Sequence, residues 1–380
     1  MLQHQNRVTS SSFLLLHRAL LLLLLGIIVS SPPIVSAMTM WTNNNHNHDS
    51  SEASTTAASK RLVYGKDDML FGCIEKTQGN KPFGNVLDAG TGMHSLRWIA
   101  TLGNEEKGMT SFTAITADKT MQRNVQNEVD ALEVGHLGNV IIGNWFGNTP
   151  LELPTGSFDV ILADYLIGAM DGFSPYQQDL MIPKLMRLLK PGGRLYIVGL
   201  EPIPDKVEPV GDETTAGANI ICQVRRVRDA CILLAGHRCY REYPLEWIQR
   251  QIQQTKYNPD PNARDQGDGR NGEHLSLISS NTFSILYKHT SIVTQINVGR
   301  SKFKYFPSPA LADSMKKVLD DLEKQSLDAT SKANTSTSGG RIKLGFDYVV
   351  AAEKVVVSKN GMHGAEREEE AEQAPDVETS

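Results

Sequence analysis

Residues Asn85 to Leu96, reading Asn-Val-Leu-Asp-Ala-Gly-Thr-Gly-Met-His-Ser-Leu, constrain the fold of this chain more than any other stretch. Val86 and Leu87 are the bulky apolar residues that a parallel strand buried on both faces requires. Asp88 closes that strand, and Gly90 and Gly92 let the backbone turn sharply where a Cβ would clash. From Ser95 onward Leu96, Trp98, Ile99 and Leu102 recur near helical spacing, so a helix opens there. Strand, glycine turn and helix make the first unit of a doubly wound α/β sheet, with a ligand at the carboxyl end of the strand.

Ser95 stands where a dinucleotide loop, G-x-G-x-x-G, wants its third glycine, and no Gly-Lys-Ser/Thr follows for a P-loop. Asp-x-Gly-x-Gly after an apolar strand instead resembles the first motif of the class I S-adenosylmethionine-dependent methyltransferases. A plain strand-to-helix turn is the alternative at this point. The next strand decides more, since Ser111 to Asp118 also ends in an acid. An acid at the tip of the second strand faces the glycine turn, and its two oxygens can accept from vicinal ribose hydroxyls.

The third strand, Val140 to Trp145, carries Asn144, where the family places an acid or amide for the adenine amino group. Phe158 to Leu166 is a fourth strand with Asp164 at its end, and a helix over 176–189 leads to Pro191-Gly192-Gly193 and a fifth strand, Leu195 to Leu200. The order FDVILADYL, then LLKPGGRLYIV, resembles the later motifs of the same family. The resemblance implies a Rossmann-like doubly wound seven-stranded sheet whose last strand is antiparallel. Thr290 to Val298 is expected as the sixth strand, Leu311 to Lys324 as a helix, and Phe346 to Ala352 as the last strand, after a surface loop from Asn334 to Gly340.

Beyond this core, residues 1–37 read as a secretory signal peptide or signal anchor: Ala19 to Val29 is an apolar run short for a bilayer, and Val35-Ser36-Ala37 is a small-residue cleavage pattern. That leader implies the secretory pathway or the extracellular space, a membrane anchor if it is not cleaved, and the cytoplasm if synthesis begins at Met38 or Met40. Residues 38–60 read as a disordered linker, 61–358 as the methyltransferase domain, and 359–380 as an acidic tail. That tail, with seven acidic residues after Gly361 against Arg367, supplies the formal charge of −5 and leaves the body near neutral. A neutral body argues against nucleic acid as substrate, because duplex binding needs a concentrated basic face. Cys73, Cys222, Cys231 and Cys239 form no C-x-x-C pair, so no zinc site is expected.

Residues 201–280 read as an inserted helical segment covering the substrate, with helices over 219–234 and 244–254 and a polar-aromatic cluster of His237, Arg238, Tyr240 and Tyr243. The resemblance implies S-adenosyl-L-methionine as cofactor, held at Asp88, Gly90, Gly92, Asp118, Asn144 and Asp164. Asp164, Tyr165 and His237 are the catalytic candidates, with His237 as a general base, and Gly168 and Gly172 are expected to keep the loop after the fourth strand flexible. The function implied is methyl transfer to a small-molecule or lipid-like acceptor by in-line displacement. A protein methyltransferase and a non-catalytic cofactor-binding module are the alternatives.

Overall fold

Alternation along the strands builds the molecule. Val86, Val160, Leu162, Tyr196 and Val198 point to one face of the sheet, and Leu87, Ile161, Ala163, Leu195 and Ile197 to the other. Each set is fully buried, as strands covered by helices on both sides must be. The computed structural model describes residues 68–103, 107–148, 151–257, 272–334 and 340–357. The leader, the linker, most of the Asn334–Gly340 loop and the acidic tail lie outside them.

Five parallel strands come first: β1 Gly84–Asp88, β2 Met109–Thr116, β3 Gly138–Ile142, β4 Phe158–Asp164 and β5 Leu189–Leu200. On the first face pack α1 Met69–Gln78, α2 Met93–Thr101 and α3 Lys119–Ala131. There Trp98 stacks on Phe71 with ring centroids 4.6 Å apart. A one-turn α4 Leu166–Ala169, then α5 Met181–Leu188 and α7 Leu245–Gln254, cover the second face. Between α5 and α7 in the chain runs α6 Glu213–Leu234, which joins α8 His289–Arg300 and α9 Pro309–Asn334 in a third apolar layer. That layer sits against Leu200, Ile285 and Leu344.

The remaining strands are β6 Lys256–Tyr257, β7 Gly272–Tyr287 and β8 Ile342–Val357, and the sheet order is β3-β2-β1-β4-β5-β8-β7-β6. β8 slots antiparallel between β5 and β7, with Leu200 opposite Asp347. The sheet therefore has the expected seven strands, last one antiparallel, plus a two-residue edge strand.

Two expectations fail here. Thr290 to Val298 is not a strand but the body of α8: Ile292 and Ile296, one helical turn apart, are both buried. The sixth strand is β7 instead, so the end of the stretch read as a covering insertion belongs to the sheet. Pro191-Gly192-Gly193 also differs, since it lies within β5 at a register shift, Gly192 having φ 74°.

Candidate active site

The tip of β1 is built by Ser95. Its hydroxyl donates to Asp88 Oδ2 at 2.7 Å and accepts from the Gly92 N–H at 3.1 Å. The residue that departs from a dinucleotide motif thus ties the start of α2 to the strand-end acid. Asp88 is fully buried, and burial lifts its carboxyl to about 6 despite the Ser95 hydroxyl, which pulls the other way. At Gly92 a Cβ would meet nothing within 4 Å, so the turn faces open space at its crest. Trp145, just past β3, donates its indole N–H to the Ala89 carbonyl at 2.7 Å and braces the turn from the side.

Asp118 caps α3, with Oδ1 accepting from the Met121 N–H at 2.7 Å. Its second oxygen makes no hydrogen bond among the described residues, and the side chain sits at the tip of the strand next to Asp88. Asn144 is committed elsewhere. Its amide donates to the Phe173 carbonyl at 2.9 Å, and its oxygen accepts from the Phe146 N–H at 3.2 Å and from the Ser174 hydroxyl. Both oxygen lone pairs are used within the chain, so an adenine amine would have to compete for them.

Four carboxylates gather behind the β4 tip. Asp164 is 3% exposed and its carboxyl is raised to about 7, first by burial, then by the charges of Asp88, Asp68 and Asp347 against the opposing pull of His94. His94 ion-pairs with Asp68 through Nε2 at 2.7 Å. Burial alone would lower the imidazole, but Asp68 and Asp164 outweigh it and the net shift is upward. Asp68 also caps α1 through Oδ1, accepting from Leu70 and Phe71. Tyr165, next along the chain, sits in the left-handed region at φ 48°, ψ 16°, uncommon for a side chain of its size, and donates to Asp347 Oδ1 at 2.9 Å.

Beyond Tyr165 opens a cavity that is partly continuous with solvent. Its walls are the rings of Tyr165, Tyr240, Tyr243 and Tyr348 and the β5 end from Ile197 to Leu200. Residues 238–243 form its roof. Arg238 donates Nε to the Asp171 carbonyl at 2.9 Å and Nη2 to both Asp171 carboxylate oxygens at 3.3 Å. The Arg241 N–H donates to the Gly168 carbonyl at 3.3 Å. A Cβ on Gly168 would lie 2.5 Å from the Arg241 carbonyl oxygen, and one on Gly172 would lie 3.0 Å from the Tyr240 ring. The sequence suggests these glycines as a source of flexibility; in the structure they let the roof come down onto the loop. Glu242 in the roof is buried and paired with Arg225, whose other arm donates to the Ile203 carbonyl at 2.6 Å.

No family model matches the chain, and no curated protein matches it. Solved structures do. A methyltransferase from Thiobacillus denitrificans in complex with S-adenosyl-L-homocysteine is 14% identical, over 85% of this chain and 99% of its own, with a TM-score of 0.41. A putative methyltransferase from Bacillus halodurans is 12% identical over 74% and 97%, TM-score 0.43. A putative sarcosine dimethylglycine methyltransferase from Galdieria sulphuraria is 15% identical over 75% and 83%, TM-score 0.39. Likenesses this distant leave the strand order to decide: five parallel strands reading 3-2-1-4-5, then the last strand antiparallel between the fifth and sixth. This is the class I methyltransferase fold.

In that fold the structure gathers Asp88, Gly92 and Asp118 at adjacent strand tips and places Tyr165 at the cavity wall, with Asp164 beside it in the chain. His237 is not among the cavity-lining residues. Its ring packs edge-on against Tyr305 at 4.9 Å, its Nδ1 is buried with no hydrogen-bond partner among the described residues, and burial beside Lys302 lowers its basicity. Asp171 anchors the roof through Arg238. Asp347, Asp68 and His94 were invisible to sequence reasoning as a group, because Tyr165 and Asp347 are 182 residues apart in the chain.

Proposed function

We propose that the chain is an S-adenosylmethionine-dependent methyltransferase acting on a small, largely uncharged acceptor. The observation that carries the reading is one juxtaposition. Asp88, Gly92 and Asp118 stand at neighbouring strand tips, and a roofed aromatic cavity begins one residue after Asp164. The open face of Gly92 and the spare oxygen of Asp118 fit an adenosine-bearing ligand. Asp118 would accept from its ribose, and Asp88 and Asp164 would lie near its charged amino-acid end. When bound, that ligand supplies an electrophilic methyl carbon on a positively charged sulfur.

The protein's own work is then positional. The glycine turn sets the distance of approach, the buried carboxylates favour positive charge at the β4 tip, and the tyrosine walls exclude water. A roof pinned by Arg238, Asp171 and the Gly168–Arg241 contact suits a compact acceptor better than an extended peptide. Titration calorimetry with S-adenosylhomocysteine tests the reading. Micromolar binding is expected, and absence of heat at millimolar ligand would remove it. Labelled methyl groups from a cell extract should then appear in the organic phase; label confined to protein bands would favour a peptide acceptor.

A further inference from the structure

Methylating a hydroxyl leaves one proton to dispose of, and the cavity wall carries a partner for it. We propose that Tyr165 and Asp347 act as a proton-accepting pair for the acceptor, and that the acceptor is a neutral ring-bearing hydroxyl compound of the phenol class. The inference deepens the methyltransferase reading and rests on it.

Three independent observations converge. Tyr165 is one of the residues that line the cavity. The same phenol donates to Asp347 Oδ1 at 2.9 Å, and Asp347 is only 5% exposed, so Tyr165 is a residue shared by the cavity wall and a buried carboxylate. Tyr165 is also held at φ 48° between the β4 acid and α4, where the Tyr165 N–H donates to the Val198 carbonyl at 3.0 Å. A bulky residue kept in a left-handed conformation at a cavity wall fits a side chain whose aim matters.

The walls describe the acceptor. They are mostly tyrosine and aliphatic residues; of the charged residues among them, Glu242 is paired with Arg225, and Arg241, largely exposed, stands 3.8 Å from Asp171. The four tyrosines and the apolar residues beside them suit the flat body of an aromatic ring.

An acceptor oxygen gives an electron pair to the methyl carbon while the carbon–sulfur pair leaves with sulfur, cancelling its positive charge. The acceptor proton passes to the Tyr165 oxygen as Tyr165 hands its own to Asp347. The pair begins as phenol and carboxylate, ends as phenol and carboxylic acid, and returns the proton to solvent.

The test uses the whole chain with Tyr165→Phe and Asp347→Asn, each first checked for folding by thermal melting and for S-adenosylhomocysteine binding. Two probes are compared at about pH 8.5: 4-methylphenol, still protonated there, and 4-nitrophenol, already ionised. Each substitution is expected to lower turnover of 4-methylphenol about 100-fold, in the range of general-base contributions, and by at least ~30-fold more than turnover of 4-nitrophenol. Equal losses on both probes would overturn the proposal and make the pair structural. Cofactor binding by the unaltered protein without methylation of either phenol would also overturn it, leaving the methyltransferase reading standing. Failure to bind S-adenosylhomocysteine would remove both.

Discussion

At the scale of single residues the decisive pair is Asp118 and Ser95, each doing a local structural task beside the one the strand tips imply. Asp118 spends one oxygen on the Met121 N–H and keeps one for a ligand. Asn caps a helix as well as Asp does, but presents a donor where a ribose hydroxyl needs an acceptor. Asp118→Asn should therefore leave the melting temperature nearly unchanged while weakening S-adenosylhomocysteine binding by about 10–100-fold, the equivalent of one charge-assisted hydrogen bond at ~1.5–3 kcal/mol. Calorimetry and a melt on the same sample check this; a large loss of stability with unchanged affinity would leave Asp118 only its cap. The strand-end acids were legible because each follows a short apolar run, a local signal. Asp347 was not, because β8 reads as one more apolar strand until it is known to lie against Leu200. Asn144 was legible in position but not in use, since nothing local says that Phe173 and Ser174 come back to meet it.

Among the elements, the roof and the β7–α8 region show where periodicity succeeds and fails. β1 to β5 alternate between two helix-covered faces, which yields continuous apolar runs that are easy to read. β7 is mostly exposed, with only Leu275 and Ile285 fully buried, so its apolar signal is thin. The β-branched run around Ile292 and Ile296 then mimics the missing strand, although its buried positions fall one helical turn apart and pack against α6 and α9. Tertiary packing overrode propensity there. The roof makes a sharper claim, because a glycine rather than a contact-making side chain sets its height. Gly168→Ala would drive a methyl into the Arg241 carbonyl, and neither backbone can yield easily. Overpacking of this kind costs about 1–3 kcal/mol, and lifting the roof should raise KM for any acceptor more than it changes cofactor affinity. Gly92→Ala, facing open space inside the protein, is the contrasting case: stability within ~1 kcal/mol, with the loss appearing in S-adenosylhomocysteine binding instead. Should Gly168→Ala melt normally and bind acceptor normally, residues 238–243 are not the lid of this cavity.

For the whole molecule the buried carboxylates couple stability and ligand binding to pH with opposite signs. Asp88 at about 6 and Asp164 at about 7 lie above the ordinary 3.8, so the folded chain holds protons that the unfolded chain has already lost. These groups stabilise the fold most below about pH 4, and that contribution fades as pH rises through about 4 to 7. For Asp164 alone the difference is roughly 4 kcal/mol, taking ~1.4 kcal/mol for each tenfold, and because Asp88 and Asp164 repel each other their effects do not simply add. His94, whose value is raised, works in the same direction, since its imidazolium is lost as pH climbs past its folded-state value. The ligand-free protein should then melt several degrees lower at pH 8 than at pH 5, a chain of this size moving about 2 °C or more per kcal/mol. Asp164→Asn, which cannot ionise, should flatten that slope by raising the pH 8 value; an unchanged slope would show that the buried acids are not its source. A positively charged ligand beside the same acids favours their ionised forms, so its binding should release protons near pH 6.5 and tighten toward pH 8. Calorimetry of S-adenosylmethionine in buffers of different ionisation enthalpy reads the proton count directly. Proton uptake at that pH would mean that Asp88 and Asp164 do not face the ligand's charge, and the functional placement of the β1 and β4 tips would have to be abandoned.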